Sequence, residues 1–219
     1  MKIPNFKYER ELWNRGLKYV AGVDEVGRGC FAGPVVAAAV AFAPEFELRI
    51  KNYELGIRID DSKKLTKLQR EKAEKWIKEN VTTWGIGEAS AALINRLGMG
   101  NAAKVAFRKA VKAANQNSKL EYILVDAFFI PFLSGFPRSR QLAIINGDEK
   151  SVSIAAASIV AKVYRDALME KIGSRRRYKK YKWVFNKGYG TKHHQEAILR
   201  YGITGYHRKQ FVETFLSKC

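Results

Sequence analysis

The chain has 219 residues, 47% hydrophobic and 28% charged, enough to bury a core as one large domain or as one domain with an appendage. Its formal net charge of +19 exceeds what solubility needs and calls for a polyanionic partner, nucleic acid first and an anionic membrane surface second. No apolar run reaches the ~18 residues of a spanning helix, residues 1–10 lack the apolar stretch of a secretory signal, and two cysteines, Cys30 and Cys219, make neither a disulfide framework nor a zinc pattern; a reducing, cytoplasmic setting is expected, and a monomer, since no exposed apolar stripe stands out.

Residues 1–18 read as a lead-in with a short helix. The run Tyr19-Val20-Ala21-Gly22-Val23 is a strand that places Asp24 and Glu25 side by side and leaves through Val26-Gly27-Arg28-Gly29. The β-branched run 35–42 follows the turn pair Gly33-Pro34 and is expected to pair with the first strand antiparallel. Residues 45–58 are polar and irregular. A helix is predicted to about residue 80, capped by Ser62 or Thr66, with Leu68, Ala73, Trp76 and Ile77 on its buried stripe. Residues 82–89 form a strand, 91–97 a short helix, and 101–114 a longer one facing inward through Ala102, Val105, Ala106, Ala110 and Val111.

Two further apolar runs stop on acids. Tyr122-Ile123-Leu124-Val125 ends at Asp126, and Leu142-Ala143-Ile144-Ile145 is followed by Gly147-Asp148. The longest helix spans about 151–173, with Val152, Ala155, Ala156, Ile159, Val163 and Ala167 on one stripe. Helices over about 191–201 and 208–216 close the chain. Strands that first pair and then alternate with helices predict an α/β domain over 1–174, a mixed sheet flanked by helices, followed by a basic helical C-terminal appendage over 175–219.

A carboxylate at the end of a buried strand is costly unless a cation or strong donors meet it. Asp24, Glu25, Asp126 and Asp148 bring oxygen donors to strand ends, where sites form in open α/β sheets. The set lacks a matching His or Cys, which suits a pair of hard ions such as Mg²⁺ or Mn²⁺. Each acid also has a plainer role. Asp-Glu beside Gly is common in turns, Asp126 can end a strand by capping a turn, and Asp148 competes with Ser151 to cap the following helix. Neighbouring residues on a regular strand face opposite ways, so Asp24 and Glu25 share a site only if the strand ends or bulges there, or if Glu25 offers its carbonyl.

Residues 171–195 carry nine Lys or Arg and no Asp or Glu, interleaved with Tyr178, Tyr181, Trp183, Phe185 and Tyr189. That mixture suits phosphates and stacked bases; a solvated basic surface with its aromatics turned inward is the alternative. Lys63 and Lys64 beside Ser62 are a second phosphate-binding candidate, or a plain helix start. His194 at a helix start is a phosphate-contact candidate, or a surface histidine.

The chain resembles bacterial-type ribonuclease HII. The matching stretches run in family order: Gly22-Val23-Asp24-Glu25-Val26-Gly27-Arg28-Gly29, Ala32-Gly33-Pro34-Val35-Val36-Ala37-Ala38, Asp61-Ser62-Lys63-Lys64-Leu65, Val125-Asp126, Gly147-Asp148, Ser153-Ile154-Ala155-Ala156-Ala157-Ser158-Ile159-Val160-Ala161-Lys162-Val163, Lys187-Gly188-Tyr189-Gly190-Thr191 with His194, and His207-Arg208. The related ribonuclease HIII usually carries Lys where Arg28 stands. The resemblance implies an RNase H-like fold and a metal-dependent endoribonuclease acting on RNA–DNA hybrids and on single ribonucleotides embedded in duplex DNA, with Asp24, Glu25, Asp126 and Asp148 as ligands of two Mg²⁺ or Mn²⁺ ions. It implies that Gly27, Arg28 and Gly29 read the ribose 2′-hydroxyl, that Tyr189 packs at the RNA–DNA junction, and that Lys63 and Lys64 hold phosphates. Asp166 is a decoy beside the Gly-Asp at 147–148. Departures from the family pattern are Asp60 in place of Asn, Cys30-Phe31 in place of Pro-Leu, Ala127-Phe128-Phe129 where Gly is usual, and a long spacing from Asp126 to Asp148. A DNA nuclease of the same fold and a non-catalytic nucleic-acid-binding protein are the alternatives.

Overall fold

A computed structural model describes residues 3–47 and 57–217; most of the irregular stretch predicted at 45–58, and Cys219, lie outside the described residues. The elements are α1 (Lys7–Trp13), β1 (Val20–Val26), β2 (Val35–Phe42), α2 (Lys67–Asn80), β3 (Thr83–Ala89), α3 (Ala91–Leu97), α4 (Met99–Asn117), β4 (Tyr122–Asp126), β5 (Gln141–Ile144), α5 (Val152–Gly173), α6 (Trp183–Asn186), α7 (Lys192–Tyr201) and α8 (Lys209–Leu216). The five strands form one mixed sheet in the order β3-β2-β1-β4-β5. β1 pairs antiparallel with β2, with Asp24 opposite Ala38, and β2 pairs antiparallel with β3. β4 lies parallel to β1 and to β5.

All eight residues of β2 are buried, because helices cover both faces of the sheet. On one face α4 lays Ala102, Ala103, Ala106, Phe107, Ala110 and Ala114 against the odd-numbered residues of β2. On the other, α5 packs Ala156, Ala157, Val160 and Ala161 against Val36, Ala38 and Val40. Small residues let the backbones close up. A Cβ on Gly22 would lie 2.2 Å from the Ile154 backbone nitrogen, so only glycine lets the start of α5 sit on β1. Ser151 caps that start, its Oγ accepting from the Ile154 N–H at 3.2 Å.

Tertiary packing shifts several predicted stripes. Thr66, with Gln69, forms a capping box at the start of α2, whereas Leu68 points to solvent at 62% exposure. Val105 is only half-buried, and Ala103 and Phe107 take its place in the core. Ala167 is exposed; beyond Ala161 the buried face of α5 runs through Arg165, Met169 and Ile172, because α5 there leaves the sheet and meets the C-terminal segment. β5 stops at Ile144, and Asn146 takes a left-handed φ of 53° to turn the chain toward Asp148. Among the basic segment's aromatics, Tyr181 and Trp183 are buried and stack on each other at 5.1 Å. They form a small core with Ala32, Met169, Ile172 and Ala197, while Phe185 stays in solvent.

Candidate active site

β1 is unbroken against β2 from Val20 to Val26, so no bulge turns Asp24 and Glu25 to one side. The sheet solves the problem differently. Pairing of β1 with β4 stops at Val23 opposite Val125, so the last residues of β1 run on beside an unpaired edge. Asp126, at the end of β4, raises the carboxyls of both Asp24 and Glu25 by its charge. It ends β4 next to Val125, the residue paired with Val23, and so lies near the end of β1.

Each acid has its own holder. Asp24 is buried on the α5 side, where its Oδ1 accepts from the Glu25 N–H at 2.7 Å and the nearby Ser158 hydroxyl offsets part of the rise in its pKa. Ser158 Oγ lies 2.9 Å from Ser62 Oγ, and this serine relay ties the Asp60–Lys64 turn to the site. Glu25 pairs with the Arg28 guanidinium at 2.9 Å. Asp126 Oδ1 accepts from the Gly147 N–H at 2.7 Å, which docks the Asp148 turn onto the end of β4. Asp148 is buried and meets the Lys63 ammonium at 3.3 Å, with Asp61 at 3.7 Å from the same nitrogen.

Burial and mutual charge raise three of the four carboxyls. Burial, then the charge of Glu25, pushes the Asp24 carboxyl well above its ordinary range, and Asp126 adds to the rise. Burial also raises Glu25, against the pull of Arg28. Asp126 is raised by burial and by Asp148, against the Gly147 hydrogen bond. Among the described residues no three such ligand groups already close on one point; Arg28 and Lys63 stand against the acids instead. Carboxylate oxygens without His or Cys, charged at a cost, are the donor set of a hard divalent cation.

Beside the acids, the Gly27–Pro34 loop is held from behind. Gly27 has φ 93°, and a Cβ there would strike Arg165 Nε at 2.2 Å, whereas a Cβ on Gly29 would meet nothing within 4 Å; the outer side of the loop is open. Arg165 and Arg208 are both fully buried. Arg165 donates to the carbonyls of Pro34, Ala32 and Lys187 at 3.0 to 3.2 Å. Arg208 donates to those of Gly27, Arg28, Gly33 and Pro34 at 2.6 to 3.0 Å. Burial lowers the Arg208 pKa to about 10, so the guanidinium stays charged at neutral pH. Sequence reasoning assigned neither arginine a role. Arg165 was signalled by its place four residues from Ala161 and from Met169 on an otherwise apolar face, and Arg208 only by the matching His207-Arg208 pair.

Lys63 and Lys64 sit beside the acids, Lys64 paired with Glu149 at 2.8 Å. Tyr189 is 38% exposed; its backbone bridges to Cys30, and Lys162 and Arg165 lie 5.5 and 5.7 Å from its ring centre. His194 is no phosphate contact. It is fully buried, and its Nε2 accepts from Trp183 Nε1 at 3.0 Å. Its Nδ1 is thereby the protonated nitrogen and donates to the Tyr189 carbonyl at 2.9 Å. His207 Nδ1 accepts from the Thr204 N–H at 2.8 Å, which leaves His207 Nε2–H to donate to His194 Nε2 at 3.1 Å. Burial lowers both imidazoles, His207 to about 4. The pair anchors the backbone beneath Tyr189.

A family model described as Ribonuclease HII matches residues 21–214. A ribonuclease HII of Caldanaerobacter subterraneus subsp. tengcongensis is 43% identical over 209 residues, covering 95% of this chain and 80% of that relative. One of Bacillus mycoides is 44% identical, covering 94% and 73%. Among solved structures, the ribonuclease H2 of Pyrococcus horikoshii superposes with a TM-score of 0.69 at 24% identity, covering 91% of this chain and 98% of that one. Bst-RNase HIII in complex with Mn²⁺ superposes at 0.69 with 22% identity, covering 92% and 70%.

Proposed function

Because the chain belongs to the ribonuclease HII family and is an endoribonuclease of the H type, we propose that it cuts RNA in RNA–DNA hybrids and cuts duplex DNA on the 5′ side of a single embedded ribonucleotide. The products carry 3′-hydroxyl and 5′-phosphate ends, and the role is ribonucleotide removal from DNA. What supports this reading is that Asp24 and Glu25 lie near the end of β1, Asp126 ends the neighbouring β4 and Asp148 lies on the turn docked against Asp126, beside an open Gly-Arg-Gly loop, in a chain of net charge +19.

Two Mg²⁺ or Mn²⁺ ions held by these four acids would supply an activated water and neutralise charge at the phosphate. The chain's own residues do the rest. Ser158 and the Glu25 N–H orient Asp24. Gly147 engages Asp126 Oδ1 and leaves Oδ2 for an ion. Lys63 exchanges Asp148 for a substrate phosphate, and Lys64 is its neighbour on the same path. Backbone groups of Gly27, Arg28 and Gly29 approach the ribose closely and read the 2′-hydroxyl, the group that separates RNA from DNA. Tyr189 packs at the junction and hydrogen-bonds that hydroxyl. Residues 175–219 are the basic segment that holds the duplex, and the protein works as a cytoplasmic monomer; no helix among the described residues is long and apolar enough to cross a membrane.

The test is incubation with Mg²⁺ or Mn²⁺ and three duplexes: DNA with one ribonucleotide, an RNA–DNA hybrid, and all-DNA. Cutting of the first on the 5′ side of the ribonucleotide, with the all-DNA duplex intact, is expected. Cutting of all three marks a DNA nuclease, and binding without cutting marks a non-catalytic nucleic-acid-binding protein.

A further inference from the structure

The segment between Asp126 and Gln141 supplies none of the candidate site's acids or loop contacts and touches the site only through Phe128. Its underside is built like core. Ile130, Leu133 and Phe136 join the main cluster. Gln141 closes the loop from below: its Oε1 accepts from the Ile130 N–H at 2.8 Å, and its Nε2 donates to the carbonyls of Ile130 and Phe136 at 3.0 and 2.7 Å. Arg108 donates to the Pro131 carbonyl at 3.1 Å.

On this firm base the loop presents aromatics outward. Phe132 is 93% exposed and sits at φ 55°, a left-handed conformation that bulky residues rarely take. Phe129 is 36% exposed, with the Arg138 guanidinium 4.5 Å from its ring centre. Along the flank, α4 carries Lys104, Arg108 and Lys112 four residues apart and so on one face. Lys104 borders one side of Phe132 and Lys112 the other. Among the described residues these cations meet neutral groups: Lys104 meets Asn101, Arg108 a carbonyl and Arg138 a ring. Residues 127–140 contain no acid. The strip also joins the candidate site, since Phe128 lies under Arg28, 5.8 Å from its guanidinium carbon, and edge-on to Phe107.

We propose that this strip is a second nucleic-acid contact, holding the arm of the substrate that leaves the site on the Arg28 side. Lys104, Arg108, Lys112 and Arg138 take successive phosphates, and Phe132 lies against a sugar or an unpaired base. Uncompensated cations interleaved with exposed rings, continuous with a nuclease site, match a sugar–phosphate strand. The inference rests on the proposed function for the identity of its ligand.

The test is the Kd for a long ribonucleotide-bearing duplex, measured without divalent ions by fluorescence anisotropy, beside a short duplex that ends near the ribonucleotide. Phe132→Ser weakens the long duplex about tenfold, as loss of one stacking contact does, and Phe132→Trp restores it. Lys104→Gln with Lys112→Gln lowers the slope of log Kd against log salt by about 2, roughly 0.9 per phosphate contact. The short duplex binds equally to all variants. Phe132 is bare to solvent, so the melting temperature of Phe132→Ser stays put and unfolding does not explain the loss. Unchanged Kd and salt slope on the long duplex overturn the proposal and leave the strip to a partner other than nucleic acid. Wild-type cleavage separates the two failures: a chain that does not cut but whose variants lose binding as stated keeps the strip and loses the function, and a cutting chain with unchanged variant affinities does the reverse.

Discussion

Arg208 donates one nitrogen to two carbonyls of the Gly-Arg-Gly loop, Gly27 at 2.6 Å and Arg28 at 2.8 Å, from 181 and 180 residues further along the chain. The loop proposed to read the 2′-hydroxyl is thus shaped by the C-terminal segment proposed to hold the duplex.

Removal of that guanidinium leaves buried carbonyls without donors. Each such orphan costs about 1–3 kcal/mol, so Arg208→Ala is expected to lose about 3 kcal/mol or more, a drop of roughly 6–12 °C in melting temperature at this size. Arg208→Lys keeps the charge but not the fork. It is expected to stay folded at lower temperature while losing at least about tenfold in cleavage at a ribonucleotide, because a shift of about 1 Å in a positioning group is that costly. Calorimetry and cleavage rates on the same preparations check both.

The buried histidine pair makes stability depend on pH. The folded pKa of His207, about 4, lies below the ordinary 6.5, and His194 is lowered as well. The unfolded chain therefore binds more protons below pH 6.5. This contribution is fully present above about pH 6.5 and is lost as pH falls toward 4, by up to about 3 kcal/mol for His207. Urea midpoints at pH 7, 5.5 and 4.5 should fall in that order, and His207→Gln should flatten the fall.

Asp24→Asn is expected to abolish cleavage, at least about a thousandfold, while duplex binding survives. In EDTA the same change should raise stability by about 1–2 kcal/mol, because it removes a buried carboxylate crowded by Glu25 and Asp126. Divalent ions should then raise the melting temperature of the wild type more than that of the variant. Equal shifts would contradict a role for Asp24 as a ligand.

Ala127 occupies φ 64°, a left-handed conformation that favours glycine. A Cβ there costs about 1–2 kcal/mol, so Ala127→Gly should gain about 1 kcal/mol, or 2–4 °C in a thermal melt. No gain would show that the Phe128 contacts with Arg28 and Phe107 already offset the strain.

The sequence by itself determined the elements that carry the site. β-branched runs of strand length, each closed by an acid or a Gly-Asp, predict strands ending in carboxylates, and a chain so rich in Lys and Arg that keeps acids at those points announces a cation and a polyanion. These are local signals, written within a few residues. Tertiary structure alone decided which face each side chain meets. Asp126 comes near Asp24 and Glu25, a hundred residues away in the chain, only because β4 pairs parallel with β1 up to Val23 and Val125. His194 has the look of a surface histidine at a helix start, yet Trp183 and His207 enclose it. Ala167 sits in phase with the buried stripe of α5, yet the C-terminal segment meets Arg165 and Met169 instead. Periodicity records which residues lie together on one element; burial and charge pairing depend on contacts between residues far apart in the chain, as between Arg208 and Gly27, and those exist only once the fold has closed.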